Sequence, residues 1–253
     1  MEYGLCMQAS VFMVAAMTWN RDDARQQYNI SGWSAGYFDV GEDGQLLALP
    51  AGSPDSPAVD LHALAHALRD AGLSWPVLVR FTDILHRQVD RLCGAFDAAI
   101  GARQYDAGYT AVYPIKVNQQ QHVVDAIVQH GGERAGLEAG SKPELLAIIG
   151  IAAANGVIIC NGYKDAEYIR LALQAQRLGH RVTLVIEKLS ELELVIHVAE
   201  ELQLRPHLGL RVRLSAATAG NWQNTGGDRS KFGFTAAGVF ALLERVRAAG
   251  LQD

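Results

Sequence analysis

Val112-Tyr113-Pro114-Ile115-Lys116-Val117-Asn118-Gln119 reads as an apolar strand that closes on a lysine and runs into amides, with no glycine at the turn that follows. Working outward, this run opens a regular alternation. Strand-like runs at 109–117, 135–139, 157–160, 182–187 and 208–214 are separated by helical patterns near 120–130, 142–154, 166–178 and 191–204, and a further helix follows near 236–249. A βαβα rhythm predicts a parallel sheet with helices packed outside it. A doubly wound sheet would place a glycine-rich turn after its first strand. Its absence favours the α/β alternative, an incomplete (β/α)8 TIM-type barrel of about five βα units, whose reacting groups sit at the C-terminal ends of the strands. Lys116, Glu138, Asn161 and Arg211 all fall near such ends.

Local signals support the alternation. Ser141-Lys142-Pro143-Glu144 reads as a capping box with proline in the first turn, and Ser190-Glu191-Leu192-Glu193 as a second, with Leu189 and Leu194 as its hydrophobic staple. Asp165 and Thr235 are expected N-caps. Leu192, Val195, Ile196, Ala199 and Leu202 keep a helical period that buries one face. Upstream, 37–40 and 45–49 flank Gly41-Glu42-Asp43-Gly44 as a hairpin, and 50–57 is a turn-rich linker. A helix near 60–70, a strand at 76–81 and a helix capped by Asp83 and reaching about 102 complete this part. The organisation expected is therefore an N-terminal segment at 17–105 and a partial barrel at 106–253. Residues 1–16 lack the basic start and long apolar core of a secretory signal, and with Met17 as an alternative start they read as a gene-model extension.

Composition excludes several classes. A formal net charge of −5 over 253 residues gives no electrostatic footprint for nucleic acid or an anionic membrane. No apolar run approaches the roughly 20 residues of a membrane span. Cys6, Cys93 and Cys160 form neither a CxxC pair nor a disulfide framework, which points to a reducing, cytoplasmic setting. The histidines lack metal-ligand spacing.

The chemistry centres on Lys116. A lysine in an apolar strand is expected to be buried, which disfavours its charged form and lowers its pKa. A neutral amine in a dry barrel is what aldehyde cofactors and carbonyl substrates require. The ordinary alternative is a strand-end lysine whose stem packs while its head reaches water. Glu138, Asn161 and Arg211 at sister positions favour the functional reading. Pro114 donates no ladder hydrogen bond and reads as a local irregularity beside the site. Arg211 and Arg213 share one face of the fifth strand, expected to point into the barrel, where an always-charged guanidinium would hold an anionic oxygen. Glu144 is explained by its capping box.

Tyr113-Pro114-Ile115-Lys116-Val117-Asn118-Gln119 resembles the cofactor-lysine motif of the pyridoxal-phosphate decarboxylases built on an alanine-racemase-like barrel. Gly136-Leu137-Glu138-Ala139-Gly140-Ser141-Lys142, Cys160-Asn161-Gly162-Tyr163-Lys164-Asp165 and Gly226-Gly227-Asp228-Arg229-Ser230-Lys231-Phe232-Gly233 narrow the resemblance to the biosynthetic arginine decarboxylase family, from about Asn20 to the last residue. The resemblance implies decarboxylation of L-arginine to agmatine in the synthesis of putrescine and spermidine. It also implies pyridoxal 5'-phosphate on Lys116, Glu138 and Arg211 beside the cofactor, Mg2+, and a homo-oligomer when full length.

Members of that family are much longer. The resemblance thus makes this chain their N-terminal part, without the histidine strand, the phosphate loop, the carboxylate for the pyridinium nitrogen and the β-domain, and inactive and poorly soluble by itself. Thr225-Gly226-Gly227 with Ser230-Lys231 also resembles diaminopimelate decarboxylase, the alternative within the same chemistry. Gly226–Gly233 reads equally as a loop leading into a helix, and Lys231 is the weaker alternative to Lys116 because a polar loop would not depress its pKa. A non-catalytic cofactor-binding remnant, or an interaction partner of full-length subunits, is the reading from a different class.

Overall fold

The computed structural model describes residues 19–213 and 233–252, in two units that part between Ile84 and Leu85. The smaller unit opens with α1 (Arg21–Gln27), capped by Asn20, whose side-chain oxygen accepts from the Asp23 N–H at 2.8 Å. Next come α2 (Ile30–Ser34) and the expected hairpin, in which β1 (Phe38–Val40) pairs antiparallel with β2 (Leu46–Ala48). Its turn needs a left-handed residue at Gly44, with φ of +84°. A third strand, β3 (Val59–Asp60), pairs with β2; at two residues it leaves no alternation in the sequence to read. The Asp60 carboxylate then caps α3 (Leu61–Asp70), accepting from the His62 and Ala63 N–H groups.

Asp39 pins this unit together. It accepts from Arg25 on α1 at 2.5 and 2.7 Å and from Arg21 at 3.1 Å. The Arg25 guanidinium, with the Val40 N–H and Arg21, lowers the Asp39 carboxyl from 3.8 to about 2. A carboxyl depressed on folding adds stability above its unfolded value and loses it as the pH falls through the folded one. The urea midpoint of the smaller unit is therefore expected to hold steady above about pH 4 and to fall between about pH 4 and pH 2. An Asp39→Asn chain followed by circular dichroism should be less stable at pH 6 and should show a flatter acid limb; an unchanged limb would contradict the assignment.

Residues 76–81 form no strand, contrary to expectation. Leu78 and Val79 lie exposed there, so the apolar run has no sheet to join. Helix α4 (Thr82–Arg103) starts one residue before Asp83, which sits in the first turn and does not cap it.

The larger unit is the predicted parallel sheet. Its strands are β4 (Ala111–Pro114), β5 (Ala135–Ala139), β6 (Val157–Cys160), β7 (Arg181–Ile186) and β8 (His207–Leu210), side by side in chain order. Between them run α5 (Gln121–Gly131), α6 (Lys142–Ile151), α7 (Ala166–Arg177) and α8 (Leu189–Leu202); α9 (Ala236–Ala248) follows. Alternation sorts the side chains cleanly. Leu137, Ile158, Cys160, Val182, Leu184 and Ile186 are buried against the helices, where they meet Leu145, Ile148, Tyr168, Ile169, Leu173, Leu192 and Val195. The opposite face carries Gly136, Glu138, Ile159, Thr183, Val185 and Gly209, in register across the sheet. Two strands are shorter than their apolar runs, because β4 stops at Pro114 and β8 at Leu210. Pro114 ends an edge strand of the described sheet, a place where a missing N–H is tolerated.

Two expected caps hold and two are rearranged. The Asp165 carboxylate accepts from the Tyr168 N–H at 2.8 Å, and the Thr235 hydroxyl from the Gly238 N–H at 3.2 Å. Neither Ser141 nor Ser190 caps its helix through its side chain. Instead, a glutamate in the first turn reaches back beyond the cap. Glu144 accepts from the Gly140 N–H at 2.6 Å, and Glu191 from the Glu187 N–H at 2.9 Å. Helix α8 starts at Leu189, earlier than predicted, so Leu189 and Leu194 lie exposed and form no staple. Glu193 turns outward to pair with Arg245 on α9.

Candidate active site

Lys116 is neither in the strand nor buried. After Pro114 the backbone tightens into a single 3-10 turn, Ile115–Val117, in which Ile115 plunges into the core at 2% exposure. The turn is tied down where the Tyr113 hydroxyl donates to the Asn118 carbonyl at 3.3 Å, and the Asn118 side chain accepts from the Gln120 N–H. With Ile115 anchored, the next side chain is pushed out over the end of the sheet. The Lys116 side chain is 61% exposed, and the burial from which a dry amine was expected is absent. Its Nζ lies 3.6 Å from Oε1 of Glu138, a largely buried carboxylate near the end of β5. Pairing Pro114 with Glu138 across the ladder sets that approach. The structure thus brings Lys116 and Glu138 together.

Arg211 is held elsewhere on the same rim. It follows β8, and its Nη1 donates to Oε1 of Glu187 at 2.9 Å, beyond the end of β7. The two arginines were expected to share a strand face; the strand ends before both, and Arg213 is drawn into backbone bonds with Phe234 around the Val212–Phe234 bridge. The Asn161 N–H donates to the Ala139 carbonyl at 2.9 Å, which gives Asn161 a role in closing the end of the sheet. Gly226, Lys231 and the rest of that motif lie outside the described residues, save Gly233, as do residues 1–16.

Sequence reasoning missed a second charged layer beneath the rim. Lys164 and Glu191 are an ion pair at 3.3 Å with side chains 0% and 4% exposed. Lys164 Nζ also donates to the Gly162 carbonyl at 2.6 Å, while the Gly162 N–H donates to Glu187 at 3.1 Å. The signal was a lysine beside a helix cap in Asn161-Gly162-Tyr163-Lys164-Asp165, for which the sequence offers no partner nearby. Next to it, Cys160 is pushed up to about 11 by burial, and burial also raises the Tyr168 phenol, which donates to the Ala139 carbonyl at 3.0 Å.

The geometry can be matched to a pyridoxal aldehyde through the lysines. The chain has five: Lys116, Lys142, Lys164, Lys188 and Lys231. Lys142 is clamped by Asp165 and Glu167 at 2.8 Å each, which hold its ammonium well above the usual lysine range. Lys164 is sealed in, and Lys188 lies over the Tyr163 ring. Among the described residues, Lys116 is the more exposed of the two accessible lysines that sit beside carboxylates at the C-terminal end of the sheet, at 61% against 37% for Lys142, and its carboxylate lies at 3.6 Å and not in a two-sided clamp. The residues present therefore fit the aldehyde end of the group. Among the described residues no cluster of three or more His, Cys, Asp or Glu is placed to hold a metal ion, and no helix is long and apolar enough to cross a membrane.

Comparison with known proteins decides the family. A family model described as pyridoxal-dependent decarboxylase, pyridoxal binding domain, matches residues 87–252. The chain belongs to the pyridoxal-dependent decarboxylases. The match covers the whole five-stranded sheet and both ion pairs of the rim. Among curated relatives, the biosynthetic arginine decarboxylase of Alkalilimnicola ehrlichii is 53% identical over 235 residues, 93% of this chain and 37% of that protein. The chain spans little more than a third of the length of the curated decarboxylases it matches. Among solved structures, the biosynthetic arginine decarboxylase of Campylobacter jejuni superposes with a TM-score of 0.75 at 33% identity, over 88% of this chain and 36% of that one. The diaminopimelate decarboxylase of M. jannaschii gives a TM-score of 0.61 at 19% identity, over 85% of this chain and 45% of that one, a likeness of fold. The partial TIM-type barrel expected from the sequence is thus the fold of this decarboxylase domain.

Proposed function

We propose that this chain is the N-terminal, cofactor-carrying part of an enzyme that decarboxylates L-arginine to agmatine and carbon dioxide, feeding polyamine synthesis. The observation that carries the reading is the Lys116–Glu138 pair at 3.6 Å on the C-terminal rim of a pyridoxal-binding barrel. The arginine in the names of the relatives supports the substrate. When bound, pyridoxal 5'-phosphate supplies the electron sink for the carbon that loses carbon dioxide.

The residues of this chain do the holding. Lys116 presents its amine beyond the strand ends, where an aldehyde can reach it, and would be the residue that holds the cofactor. Glu138, the carboxylate 3.6 Å from that amine, would hold it in place at the rim and could carry a proton beside it. Arg211 offers a guanidinium fixed through Nη1 by Glu187 to an anionic oxygen, either the ring oxygen of the cofactor or the carboxylate of the substrate. Half-buried Ile159 and Val185 give an apolar floor below these charges.

Mg2+ and a homo-oligomer extend the proposal on the resemblance alone, and a cytoplasmic location extends it on the cysteine pattern. The test is release of labelled carbon dioxide from L-arginine and, separately, from meso-diaminopimelate by the polypeptide that contains this chain, with and without EDTA. Turnover of arginine is expected. Turnover of diaminopimelate with none of arginine would overturn the substrate, and the 253-residue chain by itself is expected to give no turnover of either.

A further inference from the structure

The buried pair below the rim has no direct access to a ligand, so its place in the architecture needs its own explanation. Burying two charges is expensive, and apolar residues of similar volume would often serve stability equally well. Here the side-chain contacts of the pair form a path towards Arg211. Glu191 uses Oε2 for the Glu187 N–H at 2.9 Å and for Lys164 Nζ at 3.3 Å, and Oε1 for the Lys164 N–H at 3.4 Å. Lys164 Nζ holds the Gly162 carbonyl at 2.6 Å. One peptide further, the Gly162 N–H holds Oε1 of Glu187 at 3.1 Å, the same oxygen that receives Arg211 at 2.9 Å. The loop after β6, the start of α8 and the residue after β8 thus share one continuous chain of hydrogen bonds. Gly162 itself lies against the Gly140 carbonyl, which leaves the loop little room to adjust.

We infer that Lys164 and Glu191 are positioning residues: through Gly162 and Glu187 they fix the orientation in which Arg211 is offered at the rim. The inference rests on the proposed role of Arg211 for its functional consequence, but the relay itself is a property of the fold. Neither Lys164 nor Glu191 touches cofactor or substrate. Their charges hold Glu187 in place, and Glu187 holds the guanidinium. A pair kept for stability alone would be replaceable by neutral residues with no effect on Arg211.

The test uses the polypeptide that contains this chain, with Lys164→Met and Glu191→Gln made singly and together, and Glu187→Gln as the reference. The double variant removes both charges at once, so it avoids the lone buried charge that threatens either single variant, and circular dichroism checks its fold. Labelling by phenylglyoxal, followed residue by residue by mass spectrometry, reports how firmly Arg211 is held, with Arg170, paired to Glu201 on the surface, as internal control. In the folded double variant Arg211 is expected to label about tenfold faster and Arg170 at an unchanged rate, and either the cofactor dissociation constant or the KM for arginine to rise about tenfold. Restoring Glu191 alongside Lys164→Arg should recover most of the protection. Unchanged Arg211 labelling in a folded double variant would overturn the relay. Faster labelling without a change in either cofactor binding or the KM for arginine would uphold the relay and instead contradict the proposed role of Arg211.

Discussion

Replacing Lys116 with alanine is expected to abolish cofactor attachment and to cut decarboxylation by more than about 10⁴-fold, the scale seen when the residue forming a covalent link is removed. The expectation follows from position. Ile115 is locked in the core, Pro114 ends the strand, and Lys116 is therefore projected over the rim towards Glu138. Because the side chain is 61% exposed, its loss opens no cavity and should leave the fold intact. Circular dichroism of Lys116→Ala should match the parent while the cofactor absorbance band disappears. A variant that loses both signals together would mean that Lys116 acts through folding. Glu138→Gln is expected to be milder, because the amine remains and only its charged neighbour is lost.

A large loss of stability is expected from Gly162→Ala. Gly162 has a φ of +75°, where an L side chain is strained, and a Cβ there would stand 2.5 Å from the Gly140 carbonyl oxygen and 3.3 Å from its carbon. Both obstacles are backbone at the end of the sheet, where the Ala139 carbonyl already accepts from Asn161 and Tyr168. Left-handed strain and the clash together should cost about 3 kcal/mol, or roughly 6–12 °C in Tm for a chain of this size. Gly179→Ala is the control: its φ is +98°, but the nearest atom to a new Cβ is the Asn155 side chain at 3.9 Å. It should cost about 1 kcal/mol. Equal losses in a melting experiment would show that φ alone, and not the approach of the two loops, governs Gly162. Cofactor affinity should fall with Gly162→Ala and hold with Gly179→Ala.

What could be read from the sequence follows from how each feature is encoded. The βα alternation was legible because the strands bury one face against helices whose own apolar residues recur at helical spacing; β5 and β6 fall where their apolar runs fall. Asp165 and Thr235 were legible because a cap is a local device, made within three residues. The two-residue β3 was too short for a pattern, and the run at 76–81 has strand composition without a neighbour to pair with. Lys116 was singled out for its residue type and position but misplaced in its environment, since the 3-10 turn that lifts it out depends on the packing of Ile115 and on the Tyr113 to Asn118 bond. Lys164 and Glu191 stand 27 residues apart, on a loop and a helix, and only the parallel register of β6 and β7 brings them together. The glutamates at the starts of α6 and α8 were visible as first-turn acids, but that each reaches past its cap to the preceding loop is a matter of tertiary geometry.

The central claim is that Lys116 carries the cofactor, and one measurement addresses it directly. The protein is incubated with pyridoxal 5'-phosphate, reduced with borohydride, digested, and its lysines are read by peptide mass spectrometry. The expected result is a single stoichiometric pyridoxyl group on the peptide containing Tyr113-Pro114-Ile115-Lys116, with Lys142, Lys164 and Lys188 unmodified. A stoichiometric label on any other lysine, Lys231 included, with Lys116 unmodified would contradict the account.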